Sequence, residues 1–89
     1  MKSYIIAYEV KTPEARARLV EKMKTYGRYC PINANCWAIM ADKSALEIAN
    51  FLKEAIMSGD RLFVIRSGTE AAWVNIYGEE NSKWLKKNL

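Results

Sequence analysis

Residues 2–10, KSYIIAYEV, decide the fold. Their period is two: Tyr4, Ile6, Tyr8 and Val10 fall on one face, and Ser3, Ile5, Ala7 and Glu9 on the other. Both faces are largely apolar, which predicts a central strand covered on two sides. Glu9 is the exception, an acid near the strand's end on a face otherwise small or apolar.

Working outward, Thr12-Pro13 reads as a helix start, with Thr12 as N-cap and Pro13 in the first helical position. Ala15, Leu19, Met23 and Tyr26 recur at three- and four-residue spacing as a buried stripe, and Gly27 ends the helix. Residues 29–41 hold a strand, a turn at Asn33-Ala34-Asn35 and a second strand. Pro31 marks the first of these two strands as short, bulged or at an edge. Ser44 and Glu47 form a capping box that opens a helix running to about Met57, and Ser58-Gly59-Asp60 stops it. Residues 61–67, RLFVIRS, form a further strand. Beyond Gly68, Ala72–Tyr77 suits a fifth short strand, and Glu79–Leu89 a terminal helix with Trp84, Leu85 and Leu89 on its apolar face.

The order strand-helix-strand-strand-helix-strand predicts a single α+β domain over residues 1–89. Its architecture is a ferredoxin-like βαββαβ sandwich with a short C-terminal strand or helix extension. Both helices then lie on one side of the sheet. The apolar residues on the other side call for cover from the tail or from a second subunit.

Composition narrows the function. A hydrophobic fraction of 51% supplies a packed core and excludes a disordered chain. Nothing is long and apolar enough to span a bilayer, and Met1-Lys2-Ser3 runs straight into a strand without a signal-peptide pattern, so the chain reads as cytoplasmic with no membrane partner. There is no histidine, which excludes Ser-His-Asp and Cys-His catalysis and histidine-containing zinc sites. Two cysteines cannot make a four-cysteine metal site in one chain. Cys30 and Cys36 either face one another across the hairpin, within reach of a disulfide, or are small buried thiols.

The net charge of +4 sits entirely in residues 1–28, which hold seven cations and three acids. This concentration suits phosphate binding; a solvated helix face carrying Arg16, Arg18, Lys22 and Lys24 is the plainer reading. Carboxylates remain as the catalytic candidates, Glu9 first. Meeting its symmetry mate in a two-fold dimer, Glu9 becomes a ligand for Mg²⁺ or Mn²⁺ and a site for phosphodiester hydrolysis. The alternative is an ordinary ion pair with Lys11 or Arg66. Trp73 and Trp84 serve either as interface anchors or as cover for a thin core.

An ordered pattern over about residues 3–67 adds to this. Tyr8-Glu9-Val10 ends the first strand, Arg16 and Arg18 open a basic helix that ends in Tyr26-Gly27, and Gly59-Asp60-Arg61 leads into Leu62-Phe63-Val64-Ile65. In this order the chain resembles the small CRISPR-associated endoribonuclease and adaptation-subunit family and its relatives, the virulence-associated protein D ribonucleases. The resemblance implies a ferredoxin-like homodimer with the first-strand acid of both subunits near the dimer axis. It implies metal-dependent cleavage of RNA or DNA in active members, and in others a structural role bridging an integrase-like partner and DNA. Glu9 takes the position of the catalytic, metal-binding acid. Arg16, Arg18 and Arg28 take nucleic-acid-contacting positions, with Lys22 on the same basic helix. The chain departs from the family in having glutamate for aspartate at residue 9, and in the segment Ile32–Ala38, where the family carries a polar stretch ending in an acid.

Overall fold

A computed structural model describes residues 1–68 and 70–89. The chain runs through strand β1 (Lys2–Glu9), helix α1 (Pro13–Lys24), strands β2 (Tyr29–Asn33) and β3 (Cys36–Ala41), and helix α2 (Ala45–Leu52). A 3₁₀ turn over Lys53–Ala55 follows, then strand β4 (Arg61–Arg66) and helix α3 (Gly78–Asn88). The four strands form one antiparallel sheet in the order β2-β3-β1-β4. This is the ferredoxin-like arrangement that the sequence predicts, with the C-terminal extension realised as a helix.

Local chemistry sets the helix ends. Thr12 Oγ1 accepts the Ala15 N–H at 3.1 Å and Pro13 follows it, so α1 begins where its orphan donors find a partner. Past its other end, Gly27 has φ +81°, a left-handed conformation that glycine adopts at no steric cost. Ser44 and Glu47 complete the capping box of α2 in both directions, each bond 3.1 Å long. This helix stops at Leu52, short of Met57, because the 3₁₀ turn tightens the chain and Ile56 is then extended.

The period-two pattern of β1 sorts the core into two. Tyr4, Ile6 and Tyr8 face α1 and α2 and pack with Leu19, Met23, Ile39, Ile48 and Leu52. Ile6 stands directly opposite Trp37 on β3 and Val64 on β4, at the centre of this layer. The Tyr4 hydroxyl reaches the far rim and donates to the Lys43 carbonyl at 2.6 Å.

The second face is covered by the tail. Leu85 of α3 is 1% exposed and packs with Cys30 and Ala38, ringed by Ile5, Ile32, Trp73, Ile76 and Trp84. Both tryptophans therefore cover this second core, and the Trp73 indole N–H donates to Ser82 Oγ at 2.9 Å. Residues 72–77 are not a fifth strand. Asn75 takes a left-handed φ of 56°, which breaks an extended path, and the segment turns its apolar Trp73 and Ile76 down onto the second core. The tail covers only part of the face. Phe63 and Ile65 on β4 are 59% and 48% exposed, and beside them Ile5 and Ala7 of β1 are half-buried.

The register also decides between the two cysteine readings. Cys30 stands opposite Ala38, and Cys36 opposite Asn33, so the thiols are not cross-strand partners; both are free. Burial pushes both thiols above the usual range, which keeps them protonated. Among the described residues, no helix is long and apolar enough to cross a membrane.

Two predictions follow from this packing. Leu85→Ala empties a buried site on the second face and costs about 2–5 kcal/mol in urea unfolding; an unchanged midpoint would mean that the tail is not docked. The Ser44 backbone N–H, then its hydroxyl, hold the Glu47 carboxyl below its ordinary 4.5. A depressed folded pKa contributes stability above the unfolded value and loses it as pH falls through the folded one. As pH is lowered below that ordinary value, the wild type therefore loses more stability than Glu47→Gln does, read by denaturation at stepped acid pH.

Candidate functional site at the end of the central strands

The last residue of β1 and the first of β4 lie directly opposite: Glu9 against Arg61. Arg61 Nη1 donates to Glu9 Oε1 at 3.0 Å. The pair is open to water, with side-chain exposures of 81% for Arg61 and 70% for Glu9. Arg61 is thus the partner of Glu9, in place of the Lys11 or Arg66 that the sequence suggests. Arg66 is at the far end of β4, opposite Tyr4. Lys11 follows β1 into the next turn, where its backbone N–H donates to Asp60 Oδ1 at 3.0 Å. The apolar surroundings expected for Glu9 are also absent, because the carboxylate projects past the last apolar residues of the face, Ala7 and Phe63, into solvent.

The turn before β4 is built by Asp60. Its Oδ2 accepts the Met57 N–H at 2.8 Å while Oδ1 takes the Lys11 N–H. Both oxygens are thereby occupied with backbone donors, and Asp60 positions Arg61. Gly59 beside it has φ +88°, and a Cβ there would lie 2.9 Å from Lys11 Nζ.

The β2–β3 turn closes the same end of the sheet. The Tyr8 N–H donates to the Asn35 carbonyl at 2.9 Å, so Asn35 stands next to Glu9. Glu9, Asn35, Arg61, Tyr8 and Phe63 line a shallow hollow of about 320 Å³. A larger groove of about 550 Å³ lies at the opposite end of β4, between Arg66, Ile5 and Ile65 on the sheet and Trp73, Leu85 and Lys86 of the tail.

The four basic candidates do not converge. Arg16 alone joins the Glu9 end: it donates to the Ala34 carbonyl in the β2–β3 turn, and its guanidinium lies 5.7 Å from the Tyr8 ring centroid. Burial raises the Tyr8 phenol above its ordinary range, and the Arg16 charge works against that rise. Arg18 turns to the 3₁₀ segment, donating through Nε to the Ala55 carbonyl at 3.2 Å. Lys22 pairs with Glu54 at 3.3 Å and sits 4.0 Å over the Phe51 ring. Arg28 reaches the end of α3, where Nη2 donates to Asn88 Oδ1 at 2.7 Å.

A hard divalent cation takes six or more oxygens, usually with more than one carboxylate. Among the described residues, no three of His, Cys, Asp and Glu gather to hold a metal. Glu9 is a single acid already paired with Arg61, so one chain by itself does not fit Mg²⁺ or Mn²⁺. Of the residues at this end of the sheet, the sequence singles out Glu9 and Arg16 and gives no role to Arg61 and Asn35. The signal for Arg61 was present in Gly59-Asp60-Arg61, a turn that delivers an arginine to the start of a strand.

Comparison of the chain with family models, with curated proteins and with solved structures finds no match in any of the three.

An ion pair this exposed contributes about 0.2–1 kcal/mol. Glu9→Gln therefore lowers unfolding stability by no more than about 1 kcal/mol, and the difference shrinks further in molar salt. A loss of several kcal/mol would mean that Glu9 is structural.

Proposed function

We propose that the chain works as a nucleic-acid-interacting homodimer of the kind its sequence resembles, the small CRISPR-associated endoribonuclease and adaptation-subunit family. The observation that carries this reading is the uncovered half of the second sheet face, which runs from Ile65 through Phe63 and Ala7 to the Glu9–Arg61 pair. A second copy seated on this strip would bury two large apolar side chains that one chain leaves in water. An isologous interface sets the same residues on both sides of the axis. An axis at the Glu9 end of the strip gives the site two carboxylates, the complement that a single chain lacks for Mg²⁺ or Mn²⁺. The cations of residues 1–28 supply the attraction for a phosphate backbone.

A second reading has its own support. Because Arg61 engages Glu9 within one chain, the acid is used without a metal. The dimer then acts as a catalytically silent scaffold that holds nucleic acid, and an integrase-like partner where the adaptation role applies.

One set of measurements separates the two readings. Purified protein sediments as a dimer and binds labelled RNA or DNA with an affinity that falls linearly on a log–log salt plot. Arg16→Ala combined with Arg18→Ala weakens binding about equally for all sequences. Cleavage that requires Mg²⁺ or Mn²⁺, stops with EDTA and disappears in Glu9→Ala supports the nuclease. Binding without cleavage supports the scaffold. A monomer that binds neither nucleic acid removes both.

A further inference from the structure

Arg61 stands out because of what it leaves unused. A guanidinium carries five N–H donors in a planar fork, shaped to meet carboxylates and phosphates in pairs. Among the described residues, Arg61 spends one of them, on Glu9 Oε1, and its side chain is 81% exposed. Arg61 lines the same shallow hollow as Asn35 and Phe63. Its backbone is fixed by β4 pairing with β1 and by the Asp60 turn before it, so the side chain is rooted at this end of the sheet while its exposed pair leaves the head group free to change partner. Arg18, Lys22 and Arg28 are differently placed, each drawn toward a separate part of the fold.

We infer that Arg61 is a phosphodiester-binding residue at the Glu9 end of the sheet, which exchanges the Glu9 carboxylate for a backbone phosphate when nucleic acid binds. This inference rests on the nucleic-acid reading above and names the residue that makes contact there. The exchange is easy on both sides. An exposed carboxylate–guanidinium pair gains little over its hydrated parts, and a phosphodiester offers the same planar fork two anionic oxygens. Arg16, at the neighbouring turn, adds a second positive charge at this end of the sheet.

The exchange has a consequence for Glu9. In the free protein its charge is compensated by Arg61. Once Arg61 moves to a phosphate, Glu9 is left beside a second anion, and that repulsion opposes binding unless a cation is taken up or the carboxylate is removed. Glu9 thus competes with the phosphate for Arg61, and a neutral residue at position 9 strengthens binding.

The test measures affinity and salt slope for a single-stranded RNA and a DNA of the same sequence, without divalent cations. The proteins are the wild type, Arg61→Gln, Arg61→Lys and Glu9→Gln, each checked for sedimentation and circular dichroism. Arg61→Gln is expected to bind several-fold more weakly, with a salt slope smaller by about one unit. Arg61→Lys keeps the slope, because it keeps the charge, and loses part of the affinity. Glu9→Gln binds several-fold more tightly than the wild type. A preference for one probe tells RNA from DNA without altering the role of Arg61. If Arg61→Gln matches the wild type in affinity and slope, or if Glu9→Gln fails to tighten binding, the exchange is wrong while nucleic-acid binding stands. If the wild type binds neither probe, the functional reading fails and the exchange fails with it.

Discussion

Pairing of β1 with β3 on one edge and with β4 on the other leaves that strand no edge in solvent, and its alternating side chains are apolar on both faces. A strand in that position obliges the rest of the chain to supply two covers. Helices α1 and α2 fill one side around Ile6, Ile39 and Leu52. The other side falls to a short tail, where one fully buried residue of α3, Leu85, packs with Cys30 and Ala38. The tail roofs β2 and β3, while Phe63 and Ile65 of the β1–β4 strip stay exposed.

The open strip ends in a polar cluster. At the end of the open strip, the polar residues of three separate loops and strand ends meet: Glu9 from β1, Arg61 from β4 and Asn35 from the β2–β3 turn. The ferredoxin-like order brings these positions together although they are far apart in the chain. The strand ends are fixed by hydrogen-bonded register, so the side chains there have defined neighbours even where they are exposed.

What was legible in the sequence was local. The period of β1, the Thr12 and Ser44 caps, and the apolar face of α3 at Trp84, Leu85 and Leu89 each depend on residues within a few positions of one another. The structure reproduces them. What was not legible depended on register. Lys11 is two residues from Glu9 and looked like its partner, yet the partner is Arg61, fifty-two residues away, because strand pairing opposes those two positions. Arg16, Arg18 and Lys22 share one helix and read as one basic face. Their heads go to Ala34, Ala55 and Glu54, three different places that helical spacing cannot foretell. At residues 72–77 the composition allowed a strand, and a single left-handed residue, Asn75, decided against it. The cysteine alternatives were likewise separated only by register, with Cys30 against Ala38.

Strand β4 forms one border of the sheet, and among the described residues no strand pairs with its outer side. Between its end residues it reads Leu62-Phe63-Val64-Ile65, a run of high β-propensity of the type that stacks with its own kind into cross-β fibrils. Arg61 and Arg66 close that run at both ends. In-register stacking of like strands would align arginine over arginine at each layer, a repulsion that opposes growth of the stack. The two arginines thus stand as charged gatekeepers at the ends of an otherwise adhesive border.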